Sequence, residues 1–498
     1  MRITNKMMTN NMMSNINKNK LNLSKLEEQY STGKKIQRPS DDPIVTVRAL
    51  KFRTNLTELK QYYEKNIPDA KSWMNVTESA LRTVNEILKQ VNTYCVQGSN
   101  DTLTAKDRAA IVSNLEQMKQ QLYQEGNANF AGRYVFSGFK TDTPLLFTYD
   151  EPDLSYTITE RIETGKLQVI TKITGGYELD DFDDPAIDFS EVPKKEEVYR
   201  IQLAYDRLDQ TKPDNIILYS KDDKGNLVQA EVFTQLVSIS ASDPKAYKPD
   251  DAVAHYIPET GEIILGKDAY ELFRKTDMME ITYSKTGFEK GSLRPEHYFD
   301  CEMTDNKKPE LGPVTYKKEK QQIEYEVNYN QRLAINTEGS DAITHEIGRC
   351  IDDILNAVND VVKTEEKIAE VEKRLADNNL SEADRERYTK MKEQLEIELA
   401  LKKEAMQKAF NNGIMVSNQQ QDLVNTAVAD LGSRYVRLEL TENRLSSQKV
   451  DFEELLSENE DVDIVDTIIK FKSAETLYNA SLSAASRIVQ KSLLDFLH

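Results

Sequence analysis

The stretch Tyr30-Ser31-Thr32-Gly33-Lys34-Lys35-Ile36-Gln37-Arg38-Pro39-Ser40-Asp41-Asp42-Pro43 divides two segments of helical periodicity. Before it, Met8, Met12, Ile16, Leu23, Leu26 and Tyr30 recur by threes, fours and one seven, which is an amphipathic stripe. Ser31-Thr32-Gly33 ends that helix, and Gly33 suits the left-handed cap. Asp41-Asp42 before Pro43 reads as a helix start. Short acceptor side chains take the first free amides, and proline in the first turn loses no donor the helix needs. Beyond it, Leu56, Leu59, Tyr63, Ala70, Trp73, Ala80, Val84, Ile87, Val91 and Tyr94 keep one seven-residue register. The register crosses Pro68, which predicts a kink rather than a boundary.

Further along, Thr104 with Asp107 predicts another helix start. From Phe130 to Gly138, Tyr134 and Phe136 alternate between glycines, the pattern of a β-hairpin. The other end of the chain is again helical. Ile351, Ile354, Val358, Val361, Ile368, Val371 and Leu375 form a stripe, and Asn378-Asn379-Leu380-Ser381 is a turn. Ser381 with Asp384 then starts a return helix through Tyr388, Met391, Leu395, Leu399, Met406 and Phe410. The expected helical hairpin, near 362–411, ends at a break over residues 413–417. Another helix carries Val424, Ala427, Leu431, Leu438, Leu445, Phe452 and Leu455. After an acidic break at 458–463, a last helix shows Ile464, Ile468, Phe471, Tyr478, Leu482, Ala485, Val489, Leu493 and Phe496.

The middle differs in kind. Eleven of the fourteen prolines fall within 142–338. There Val198–Leu203, Gly261–Leu265 and Ile323–Val327 resemble strands, and 268–273 a short helix. The expected fold is α+β and multidomain: a long helical bundle or coiled coil drawn from both termini, with an inserted β-rich central domain. Its parts would be 1–42 with 459–498 (terminal helices), 43–141 with 339–458 (long-helix bundle, with a β-hairpin near 130–141) and 142–338 (central domain).

Charge narrows the function. The chain of 498 residues carries a net charge of −19, which argues against nucleic acid as a main partner. Residues 1–40 hold eight Lys/Arg against two acids, and 451–498 hold ten acids against four Lys/Arg. The ends are complementary, which favours pairing between them. Apolar runs are too short for a membrane span, so no membrane insertion is expected. The segment from Met1 to Met8 lacks the apolar core of a secretory signal, and composition alone points to the cytoplasm.

Catalytic equipment is sparse, and neither a cofactor nor a metal is expected. Cys95, Cys301 and Cys350 form no CxxC pair and read as small buried hydrophobes. His345-Glu346 begins like a zinc helix, but Arg349 stands where the second histidine is needed. The acidic run Asp180-Asp181-Phe182-Asp183-Asp184 reads as a solvated loop.

Both terminal helices are apolar along one face, although chain ends are usually polar and frayed. An isolated amphipathic helix is marginal in water and needs a partner. The two helices either complete one core within the chain or pack against neighbouring subunits. Small residues at Ala474, Ala480, Ser481, Ala484 and Ala485 permit close helix approach and favour assembly. The candidate assembly interface is Met12, Ile16, Leu23 and Leu26 on the first helix. On the last helix it is Ile468, Phe471, Tyr478, Leu482, Ala485, Val489 and Leu493.

The opening stretch, with Gly132-Arg133-Tyr134-Val135-Phe136-Ser137-Gly138, Leu431-Gly432-Ser433-Arg434, Asn443-Arg444-Leu445 and Ser492-Leu493-Leu494-Asp495-Phe496-Leu497, resembles the flagellin superfamily, in its hook–filament junction branch. The resemblance covers roughly 1–141 and 415–498. It implies a structural subunit and no enzyme. It also implies self-association into a short helical layer between hook-associated protein 1 and flagellin. Export would run through the flagellar type III channel without a cleaved signal, after binding a cytoplasmic chaperone. The terminal helices would form an inner coiled-coil tube and the central domain would face outward. A filament-type flagellin, or an adhesin housed in 142–338, are the alternatives. The helical hairpin near 362–411 is longer than the resemblance requires.

Overall fold

A computed structural model describes residues 5–100, 103–183, 187–222, 224–377 and 380–494. Helix α1 (Asn5–Thr32) ends at Gly33, whose φ of +73° lets its amide turn back to Gln29 O at 2.9 Å. Helix α2 (Pro43–Gln61) starts on Asp42, whose Oδ1 accepts from the amides of Ile44 and Val45 at 3.1 Å each. A π-helical turn, Tyr62–Asn66, joins it to α3 (Ile67–Gly98). Pro68 lacks the N–H that the Glu64 carbonyl would accept, and Glu64 lies inside that wider turn. Helix α4 (Ala105–Glu125) opens on the reciprocal Thr104–Asp107 capping box.

Helix α5 (Lys267–Phe273) is a short element of the β-rich region, and α6 (His345–Leu375) follows that region. Helix α7 then runs from Glu382 to Glu460 without interruption. The break expected over residues 413–417 is absent. Gly413 is there for packing: a Cβ at that position would lie 2.8 Å from both Cys95 Sγ and Ile354 Cδ1. The glycine lets α3 and α6 approach α7 closely, and that packing outweighs its helix penalty of about 1 kcal/mol. Ser381 Oγ accepts from the Asp384 amide at the start of α7. The turn residues 378–379 lie outside the described residues. After Asp461, α8 spans Ile464–Leu494.

The chain divides into two compact units. One comprises residues 1–70, 325–333 and 436–498, and the other 71–324 and 334–435.

In the larger unit, β1 (Asn129–Phe130) and β2 (Arg133–Tyr134) form a hairpin. Ala131 and Gly132 both take positive φ in its turn, as a two-residue hairpin requires. Two sheets follow, built from β3 (Glu151–Glu163), β4 (Gln168–Thr174), β5 (Lys194–Gln202), β6 (Ile216–Lys221), β7 (Leu227–Phe233), β8 (Leu236–Ser238), β9 (Ala254–Ile257), β10 (Glu262–Leu265), β11 (Met278–Phe288), β12 (Asp300–Asp305) and β13 (Val314–Tyr316). Among the described residues, one has the order β13-β12-β3-β11-β6-β7 and the other β4-β5-β10-β9-β8, in which β8 and β9 run parallel. Burial alternates along β3 and β11, so Tyr156, Ile158, Ile281 and Tyr283 point inward, with Ile201, Ile263 and Phe273 in the same core. A buried ionic cluster ties this region to α6. Arg200 pairs with Glu262 at 2.5 Å and with Asp353 at 2.6 Å.

The acidic run does not simply float in solvent. Between β4 and β5 the chain crosses onto the α6–α7 hairpin, where Tyr177, Phe182 and Phe189 pack with Val371, Tyr388, Met391 and Leu395. Lys367 supports this crossing by donating to Tyr177 O at 3.1 Å and pairing with Glu178 at 2.7 Å. The length of the helical hairpin thus gives the crossing segment an apolar seat. The Asp183 side chain and residues 184–186 lie outside the described residues.

In the smaller unit, α2 lies along the end of α7 through Phe52–Phe452, with centroids 6.4 Å apart, and Lys60–Glu453 at 3.1 Å. A last hairpin, β14 (Glu324–Asn328) with β15 (Gln331–Ala334), contributes residues 325–333. Arg444 donates to Gln331 Oε1 at 3.0 Å and Asn66 to Glu326 O at 2.8 Å, which hold it there.

Candidate assembly interface

Within the smaller unit, α1 and α8 form an antiparallel pair. Moving along α1 from Asn19 to Tyr30 moves back along α8 from Ser481 to Phe471. Asn19 Nδ2 donates to Ser481 Oγ at 2.9 Å, and Tyr30 stacks on Phe471 with centroids 6.2 Å apart. On α1 the covered positions are Met12, Ile16, Asn19, Leu23 and Leu26. On α8 they are Thr467, Phe471, Ala474, Tyr478, Ser481 and Ala485. Both sets alternate by threes and fours, the seam of a two-helix coiled coil.

The candidate residues therefore part company. Met12, Ile16, Leu23 and Leu26 lie in the seam, with Ile16 only 8% exposed, and so do Phe471, Tyr478 and Ala485. Ile468 and Leu482 lie one position round the helix and stay open, at 37% and 42%. Val489 and Leu493 belong to α8, but their side chains lie outside the described residues. Ile464, Val465, Ile469 and Leu477 are also exposed on α8, as are Met7, Met8, Met13 and Leu21 on α1. Apolar periodicity alone missed Thr467 and Asn19, because a polar residue in a seam carries no hydrophobic signal.

Where the pair joins α2 and α7, the complementary charges of the ends meet. Lys34 pairs with Asp461 and, at 3.5 Å, with Glu460. Arg53 reaches the buried Glu460 at 2.6 Å. Backbone bonds accompany them: Lys35 N to Glu460 O at 2.6 Å and Val462 N to Gly33 O at 2.9 Å. The Asp461 hydrogen bond raises the Lys34 pKa. The bonds from Lys34 and Ser457 hold the Asp461 carboxyl below its usual value.

Among the described residues, no group of three or more His, Cys, Asp or Glu is placed to hold a metal ion, and no helix is long and apolar enough to cross a membrane. His345 is half-buried among Tyr205, Tyr298 and Phe299, and desolvation lowers its pKa to about 3. A concavity of about 290 Å³ is lined by Asp150, Asp206, Arg207, Lys285, Thr286 and Glu289. Its two cations are committed locally, Lys285 to the carbonyls of Asp206 and Arg207 and Arg207 to Glu289.

The bacterial flagellin N-terminal helical region matches residues 3–141, and the bacterial flagellin C-terminal helical region matches 415–497. Both ends of this chain are thus similar to the helical ends of bacterial flagellin. The matched regions include α1, α8 and the seam between them. Among curated relatives, the chain is 30% identical to flagellar hook-associated protein 3 of Salmonella typhimurium over 176 residues, 34% of this chain and 54% of that protein. It is 32% identical to flagellar hook-associated protein 3 of Escherichia coli over 144 residues, 29% of this chain and 45% of that one. The chain spans about half the length of these relatives. A crystal structure of flagellar hook-associated protein 3 from Legionella pneumophila aligns over 82% of this chain and 97% of that one, at 12% identity and a TM-score of 0.30.

Proposed function

We propose that this chain is a member of the flagellin family and the structural subunit of the hook–filament junction, joining hook-associated protein 1 to flagellin. The observation that carries the reading is the terminal pair: its seam is closed within the chain, yet a second apolar strip, with Ile468 and Leu482, stays open on α8. Such a strip costs free energy in water unless another surface covers it. The similarity to hook-associated protein 3 of two bacteria supports the junction position.

In this reading, 1–42 with 459–498 form the inner tube, 43–141 with 339–458 form the layer around it, and 142–338 faces outward. Subunits self-associate into a short helical layer outside the cell. They arrive through the flagellar type III apparatus after release from a cytoplasmic chaperone. No catalytic step is involved.

Deleting the gene tests the proposal by microscopy. Hooks without filaments, with flagellin shed into the medium, are the expected result; normal filaments refute it. A filament subunit is the second reading, favoured by the flagellin matches at both ends. Copy number separates the two, since thousands of copies per filament exclude the junction.

A further inference from the structure

The α1–α8 seam repeats. Ile16, Leu23 and Tyr30 are one heptad apart on α1, as are Phe471, Tyr478 and Ala485 on α8. A slip of one heptad would leave most apolar contacts in place, so apolar packing alone specifies the register weakly. One polar pair bonded across the seam breaks the repeat. Asn19 Nδ2 donates to Ser481 Oγ at 2.9 Å, and the Ser481 hydroxyl donates to Leu477 O at 2.7 Å. Both side chains are half-buried.

We infer that Asn19 and Ser481 are the register key of the terminal helical pair. A slip in one direction sets Asn19 against Ala474 and Ser481 against Met12. A slip in the other sets Ser481 against Leu26. Either way the Asn19 amide loses its partner, and a half-buried amide set against apolar side chains without that bond is disfavoured. The preference for the native register is on the order of tenfold or more. The joint at Lys34 and Asp461, with the backbone bond from Val462 N to Gly33 O, holds the near end of the pair, and the Asn19–Ser481 bond holds it about three turns of α1 beyond Tyr30.

The key matters for assembly because the open surface is composite. Met13 and Leu21 of α1 and Leu477 and Leu482 of α8 are all exposed. A one-heptad slip shifts the two sets by about 10 Å, and a neighbour fitted to one arrangement would not meet the other. This consequence rests on the assembly reading; the key itself does not.

Disulfide trapping in the isolated full chain tests the key without any assembly. The native cysteines are buried. The pair Leu23→Cys with Tyr478→Cys reports the native register, one heptad from the Tyr30–Phe471 stack. Leu23→Cys with Phe471→Cys reports a slipped register. In the parent background only the first pair should crosslink. Adding Asn19→Leu should bring the slipped pair to a comparable yield. Exchanging the two residues, Asn19→Ser with Ser481→Asn, should restore the native crosslink alone. An Asn19→Leu chain that keeps only the native crosslink, or loses both, overturns the inference.

Discussion

Phe182 lies flat on Tyr388, with centroids 3.6 Å apart and rings 2° from parallel. The contact joins the segment between β4 and β5 to the α6–α7 hairpin, and the Arg387 guanidinium lies 4.7 Å from the same Phe182 ring. Truncating a buried aromatic costs about 3–5 kcal/mol. Tyr388→Ala should therefore release this segment while the six-stranded sheet stays folded. Hydrogen exchange checks it: amides of 177–182 and 187–191 should lose protection, and those of β3 and β11 should keep it.

Two glycines of α7 should respond oppositely to alanine. Gly432 has nothing within 4 Å of a new Cβ, and Gly413 has Cys95 Sγ and Ile354 Cδ1 at 2.8 Å. In a helix, Gly→Ala gains about 1 kcal/mol. Overpacking costs about 1–3 kcal/mol. Gly432→Ala should raise the melting temperature and Gly413→Ala should lower it, as read by calorimetry of the isolated chain.

Arg200 is enclosed by Glu262 and Asp353, and removing one member of a buried ionic cluster costs about 3–5 kcal/mol. Burial pushes the Glu262 carboxyl up, but Arg200 and its other partners hold it below its usual 4.5. A folded-state pKa below the unfolded value stabilises above that value, and the gain is lost as pH falls through the folded pKa. Arg200→Met removes the cation and leaves the burial, so the carboxyl pKa should rise. The cost of Arg200→Met, measured by urea unfolding at pH 7 and pH 4, should shrink at the lower pH.

The two faces of α8 should separate assembly from folding. Leu482 is 42% exposed, and a charge there should change the stability of the isolated chain by no more than about 0.5 kcal/mol. Leu482→Lys should nevertheless prevent filament growth in cells. Phe471→Ala removes the stack on Tyr30 and should loosen the pair itself, read as faster hydrogen exchange in α1. Normal motility with Leu482→Lys would detach the open strip from assembly.

What was legible in the sequence was mostly local. The stop at Gly33, the starts at Asp42, Thr104 and Ser381, and the stripes of α1 and α8 depend on residues a few positions apart. Gly413 misled because its reason is distant: Cys95 and Ile354 belong to other helices. The same distance hid Phe182 on Tyr388, inside a run whose aspartates spoke louder than its one aromatic. At the interface, periodicity located the apolar strip but not its division. Phe471 and Ile468 look alike as letters, and the side α1 takes shows only in contacts such as Tyr30 on Phe471 and Asn19 on Ser481.

The bond between Asn19 and Ser481 closes a separation of 462 residues. During synthesis α1 is made long before α8 exists, and a single amphipathic helix has little stability in water. Closing so long a loop also carries its own entropic delay. The terminal structure therefore keeps time: it cannot form before α8 has been made, and the strip on α8 comes into being together with the partner that covers its other side.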